Sequence, residues 1–124
     1  MQASECFVLG IKENPTDHSL WNKFGACCSN NLDLQQACQA YEQALDLRPN
    51  YVRTIINYGL AKNRLCDYKQ AASSFLSALA LNPNISHVWT YLRQSFMKME
   101  RMDLIEKLEL RDPFVFKDEF KIID

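Results

Sequence analysis

The sequence predicts an all-α chain: a right-handed superhelix of antiparallel helix pairs, closed by a C-terminal helical cap. Three observations predict it. Pro15, Pro49 and Pro83 stand 34 residues apart, a period filled by two helices and their turns. Between the prolines one pattern is written twice. Trp21-x-x-Phe24-Gly25-x-x-Cys28, with Ala37, Tyr41 and Ala44, becomes Ile55-x-x-Tyr58-Gly59, with Ala71, Phe75 and Ala78. Finally, all three glycines and three of the four prolines fall at these repeat positions.

The elements follow in order. Residues 1–15 read as the second helix of a truncated repeat, about 2–13, because Ala3, Phe7, Gly10 and Pro15 match the end of the pattern. Residues 16–49 form one repeat with helices near 18–30 and 34–47, and residues 50–83 a second with helices near 52–65 and 68–81. Asn14-Pro15-Thr16-Asp17, Asn30-Asn31, Arg48-Pro49-Asn50, Asp67 and Asn82-Pro83-Asn84 punctuate them, each with a capping side chain or a proline that stops the helix before it. Residues 84–124 open like a third repeat at 86–100, with Trp89, Leu92 and Phe96. Arg93 stands where Gly25 and Gly59 stood, and the pattern decays into a helix near 103–110 and another from Pro113. This is a cap, with Phe114, Phe116 and Phe120 expected over the open face of the last repeat. A half-repeat at the start leaves an apolar face uncovered. That face belongs to a longer array or meets a partner, and the need of every repeat for a neighbour favours the former.

Gly25 and Gly59 lie inside helices, where glycine costs about 1 kcal/mol relative to alanine. The compensation expected is close approach between the paired helices, with Ala37, Ala44, Ala71 and Ala78 as small surfaces and Trp21, Phe24, Tyr41, Tyr58 and Phe75 filling the space around the crossing.

Composition sets limits on function. With 48% hydrophobic residues, 23% charged residues and a formal net charge of -1, the chain of 124 residues is one domain that offers nucleic acid or anionic membrane no overall attraction. No apolar run reaches about 18 residues and the N-terminus has no basic region leading into an apolar stretch, so a cytoplasmic location is expected. Cys6, Cys27, Cys28, Cys38 and Cys66 are odd in number and lack Cys-x-x-Cys or histidine partners at metal spacing; they read as reduced and mostly buried. No catalytic residue, cofactor or metal is expected. Glycine-rich phosphate loops, Gly-x-Ser-x-Gly and His-Glu-x-x-His are missing from the sequence, His18 and His87 fall at helix starts facing solvent, and Asp103, Glu106 and Glu109 mark a solvated helix face.

The period and pattern resemble those of the tetratricopeptide repeat. In that class the first helix of each pair lines a concave groove through its second, fifth, sixth, ninth and thirteenth positions, which fall on one stripe. Counted from His18 and Val52, the stripe holds Asn22, Lys23 and Ala26, then Arg53, Ile56, Asn57, Leu60 and Arg64. Asparagine amides pair with a peptide main chain whatever its sequence, and lysine or arginine suits a carboxylate.

Two longer matches are more specific. Leu20-Trp21-Asn22-Lys23-Phe24-Gly25-Ala26, Tyr51-Val52-Arg53 and Asn57-Tyr58-Gly59 resemble the last two repeats of the cytosolic receptors for type-1 peroxisomal targeting signals. Trp89-x-x-Leu92-Arg93, Met102-Asp103-Leu104-Ile105 and Phe116-Lys117-x-Glu119-Phe120 are similar to the C-terminal helices of that family. The resemblance implies protein transport to the peroxisome: a receptor that binds cargo ending in Ser-Lys-Leu or a close variant, and cycles between cytoplasm and peroxisomal membrane. It implies that Asn22 and Asn57 bind the signal's main chain and carboxylate, that Lys23 and Arg53 supply positive potential, and that Ala26 and Leu60 line the pocket for the terminal leucine. Arg64 stands where the family has another asparagine, and Met97 near an expected small hydroxyl residue. The family's acidic and asparagine contacts to the signal's lysine come from earlier repeats, and docking at the membrane from a region outside this chain.

Two other readings compete. In a chaperone-docking clamp a comparable groove grips an acidic C-terminal peptide, but Ala26 stands where that pattern has asparagine, and Arg93 is the only cation at a comparable place on the third first-helix. An assembly scaffold would use Tyr51, Phe114 and Phe116 as an interface.

Overall fold

The computed structural model describes residues 10–122, and among them it contains helices and turns but no strand. The expected opening helix falls mostly outside the described residues; residues 10–13 are helical. Then follow α1 (His18–Asn30), α2 (Leu34–Leu47), α3 (Val52–Arg64), α4 (Tyr68–Leu81), α5 (Ser86–Lys98) and the short α6 (Met102–Lys107). Two 3₁₀ turns, Leu108–Leu110 and Pro113–Phe116, end the chain where longer helices were expected. Short turns force antiparallel pairs: α1 packs on α2 and α3 on α4, while α2 against α3 and α4 against α5 join one pair to the next.

Local chemistry repeats with the period. Asp33 and Asp67 each cap a second helix, accepting from the amides of Gln36 and Gln70 at 3.3 Å. Trp21 donates its indole N–H to the Pro15 carbonyl at 3.0 Å, and Trp89 to that of Pro83 at 3.1 Å. The prolines that break the chain thus also anchor the next helix.

Every first helix ends the same way. The amide of Asp33 reaches back to the Cys28 carbonyl and that of Leu32 to Ser29. Asp67 and Cys66 repeat this toward Lys62 and Asn63, and Arg101 and Glu100 toward Phe96 and Met97. This is the Schellman turn, whose pivot needs a left-handed backbone. Here the pivots are not glycine: Leu32, Cys66 and Glu100 have φ of 63°, 65° and 59°. A side chain in that conformation costs about 1–2 kcal/mol, and Leu32 is 70% exposed, so its side chain returns little by burial. Leu32→Gly should therefore stabilise the chain by about 0.5–1 kcal/mol, seen as a higher urea midpoint at unchanged slope.

The helical glycines sit beneath aromatic rings. A Cβ built on Gly25 would stand 2.6 Å from Cε1 of Tyr41, and one on Gly59 2.7 Å from Cε1 of Phe75. A ring of the partner helix, more than the alanines, makes glycine necessary. Arg93 is compatible with the third repeat because the residue one period after Tyr41 and Phe75 is Glu109, which is exposed. With no ring overhead, the position tolerates a long side chain. Gly10 is different again: its Cβ would meet Leu20 at an ordinary 3.5 Å.

One core cluster gathers Phe24, Cys28, Cys38, Tyr41 and Ala61, with Tyr58 packed against it; a larger one joins Ile55, Phe75, Leu76, Leu92, Phe96 and Leu104. The cap completes the larger one. Phe116 and Phe120 stack on Phe96 with ring centres 5.3 and 5.7 Å apart. Phe114, also expected to cover the open face, is instead 44% exposed, because it points out of the 3₁₀ turn that buries Phe116. Burial of Phe116 also removes it from any interface of the scaffold kind. Arg101 binds both Asp103 and Glu119, tying the tail to the start of α6.

Of the described cysteines, Cys28 and Cys38 are buried, Cys27 is half-buried and Cys66 is exposed. Burial raises the thiol pKa of Cys28 and Cys38, so both pack as neutral side chains. His18 does not face solvent as expected. It is half-buried, edge-on to Tyr51 at 4.7 Å, because the α2–α3 turn folds over the start of α1.

Candidate peptide-binding groove

The first helices α1, α3 and α5 lie side by side, joined by side-chain hydrogen bonds. Asn22 is 9% exposed, and its Oδ1 accepts from Thr54 Oγ1 at 3.1 Å and from Asn57 Nδ2 at 3.2 Å. Asn63 Oδ1 accepts from Ser95 Oγ at 2.9 Å. In both the hydroxyl stands 32 residues after the asparagine it meets, and the two contacts fall at opposite ends of α3. Arg64 donates through Nη1 to Oγ of Ser29 at 3.2 Å and to its carbonyl at 3.4 Å, which fastens α3 to the C-terminal end of α1.

Over this floor lie two adjoining hollows, of about 750 and 390 Å³, that share Asn57 and Leu60. The larger combines polar groups, from Ser29 and Asn30 of α1, Asn63 and Arg64 of α3 and Gln94 and Lys98 of α5, with a mainly apolar surface to which Ala26, Leu60 and the second-helix tyrosines Tyr41 and Tyr68 contribute. The smaller is also mainly apolar, lined by Val52, Ile56, Ile85 and Tyr91 together with the exposed Arg53 and His87. Burial raises the Tyr41 phenol to about 12, so it enters the larger hollow neutral.

Of the residues expected in the groove, Ala26, Asn57, Leu60 and Arg64 line the larger hollow, and Arg53, Asn57 and Leu60 the smaller. Asn22 lies behind the wall with its carbonyl occupied, where it holds the Asn57 amide. Lys23 is exposed on α1 and lines neither hollow. Sequence reasoning missed Asn63, Tyr41, Tyr68 and the whole contribution of α5. A signal for α5 was present: adding 34 to 53, 57, 60 and 64 gives His87, Tyr91, Gln94 and Lys98, all of them lining residues. Among the described residues no cluster of His, Cys, Asp or Glu could hold a metal ion, and no helix is long and apolar enough to cross a membrane. What the walls offer is amide and hydroxyl hydrogen bonding, apolar surface and positive charge.

Comparison with known proteins agrees with this architecture. Residues 18–51, one full period, match the family model described as Tetratricopeptide repeat. The chain is 35% identical over 115 residues to a peroxisomal targeting signal receptor of Kluyveromyces lactis, covering 84% of this chain and 20% of that one. It is 38% identical over 122 residues to the peroxisomal targeting signal 1 receptor of Dictyostelium discoideum, covering 98% of this chain and 19% of that one. The chain thus spans about a fifth of the length of the curated relatives it matches. Among solved structures, YrrB, described as a TPR protein with an unusual peptide-binding site, superposes with a TM-score of 0.74 at 25% identity, over 83% of this chain and 53% of that one. The chain is therefore a tetratricopeptide-repeat protein, homologous over most of its length to a segment of the peroxisomal targeting signal receptors.

Proposed function

We propose that this chain forms part of the cargo groove of a peroxisomal import receptor, and that it grips C-terminal targeting peptides by carboxylate and main chain. The position of Asn57 is the observation that carries the reading. It stands where the two hollows meet, and its amide is oriented by Asn22. One of its N–H groups is held, which turns the Asn57 carbonyl and remaining N–H toward a peptide main chain. Arg53, exposed and lining the smaller hollow, pairs with the terminal carboxylate, while Ile56, Leu60 and Tyr91 take the last apolar side chain. Ala26 leaves room for the peptide backbone, Lys23 and Arg64 add positive potential, and Asn22 acts by positioning Asn57. In the cell the receptor would carry cargo from cytoplasm to peroxisomal membrane, docking there through regions outside this chain.

Fluorescence anisotropy tests this with a labelled peptide ending in Ser-Lys-Leu and its C-terminal amide. The free acid should bind at least about tenfold more tightly, a difference of about 1.4 kcal/mol. Arg53→Glu should abolish that preference and Asn57→Asp should weaken binding further. Equal affinity for acid and amide would overturn the reading.

A further inference from the structure

We infer that a third hollow, between α5 and the cap, receives a phosphorylated side chain of a partner protein, with Arg93 and Arg111 as the residues that grip it. The hollow measures about 680 Å³ and shares no lining residue with the two groove hollows. Ser86, Thr90 and Arg93, which helical spacing puts on one stripe of α5, line it together with Asn84 before the helix and Arg111 after it. It lies where the third repeat departs from the other two. Tyr41 and Phe75 cover Gly25 and Gly59, whereas no ring of a second helix covers Arg93.

The donors of this hollow are unpaired. Among the described residues Arg93 and Arg111 form no ion pair, and the side chains of Asn84, Ser86 and Thr90 make no hydrogen bond. Arg111 lies over the Trp89 ring, 5.2 Å from its centre, which sets its direction and leaves its charge uncompensated. The carboxylates nearest in sequence do not line the hollow, and that of Asp112 accepts from the Phe114 amide at 3.0 Å. Ser86 also opens α5, whose cap residue Ile85 supplies no side-chain acceptor, whereas Asp17, Asp33 and Asp67 do so for α1, α2 and α4. Two like charges at one hollow repel each other until an anion sits between them. Two guanidinium groups, two hydroxyls and an amide suit the three oxygens of a phosphate dianion better than a single planar carboxylate. The volume is that of pockets holding ligands far larger than a lone ion, so the phosphate arrives on a larger molecule. Leu110, next to Arg111, is 64% exposed and Phe114 44%, apolar surface on the same cap that suits a polypeptide carrier.

Nitrogen-15 NMR tests the inference with the peptide acetyl-Ala-phosphoSer-Ala-amide, its unphosphorylated form, and inorganic phosphate at matched ionic strength. The blocked C-terminus keeps the peptides from offering the groove a free carboxylate. The indole N–H of Trp89, bonded to Pro83, reports on the hollow, and that of Trp21, bonded in the same way to Pro15, is the internal control. The phosphopeptide should shift the Trp89 signal saturably, leave Trp21 unmoved, and bind at least about tenfold more tightly than the unphosphorylated peptide. Arg93→Gln, at an exposed position without a bonded partner, should weaken it about tenfold, and Arg93→Lys less, because lysine keeps the charge without the fork. No saturable shift, an equal response to the unphosphorylated peptide, or an affinity unmoved by Arg93→Gln would overturn the inference. Inorganic phosphate binding as tightly as the phosphopeptide would show a free-anion site and overturn the partner.

Discussion

Phe96→Ala should lower the unfolding free energy by about 3–5 kcal/mol, a large part of what a domain of this size possesses. Phe96 is fully buried, with Phe116 and Phe120 stacked on it and Leu92 and Leu104 in the same cluster. Removing its ring opens a cavity that two tail aromatics border and loosens a tail otherwise held by packing on α4 and by the Arg101 contacts to Asp103 and Glu119. Because repeat arrays are held by nearest-neighbour contacts, the loss should be uneven. Hydrogen exchange should accelerate first in α5, α6 and the tail, with α1 and α2 following only through global unfolding. Uniform acceleration across all helices would show that the cap does not act as a separate layer.

Gly59→Ala should destabilise the fold by about 1–3 kcal/mol, although alanine is the better helix former by about 1 kcal/mol. The new methyl would meet Phe75 at 2.7 Å, and Phe75 is fully buried with no free space in which to swing. α3 must then move away from α4. Asn57 and Leu60 lie on the same turn of α3, so peptide affinity should fall together with stability. Adding Phe75→Leu should recover part of the loss, which a double-mutant cycle measures as coupling. Gly10→Ala is the control: with its nearest contact at 3.5 Å, the substitution should be neutral or mildly stabilising.

The helix pairs were legible because two signals coincide, a strict 34-residue period and turn chemistry at each break. The starts of α1, α3 and α5 at His18, Val52 and Ser86 follow that period to the residue. The cap was less legible because its helices are too short for periodicity to speak. The difference between Phe114 and Phe116 depends on a 3₁₀ turn that spacing alone does not reveal. In the groove, the expected stripe on α1 and α3 was readable, but the roles within it were not. Asn22 and Asn57 share one residue type and opposite situations, one closed off by Thr54 and the other facing the hollows. That distinction arises only when adjacent first helices meet across 32 residues. The contribution of α5 was overlooked because Arg93 marked it as divergent, although its groove positions keep the register of α3.

The contacts of Asn22 with Thr54 and of Asn63 with Ser95 have a thermodynamic consequence. They bind neighbouring first helices at both ends of α3, so the curvature of the concave face is set when the chain folds. A peptide received by the proposed groove would meet a preformed surface, and little of its binding free energy would be lost to ordering these helices. Binding should then proceed with a small change in backbone dynamics and an on-rate limited by encounter.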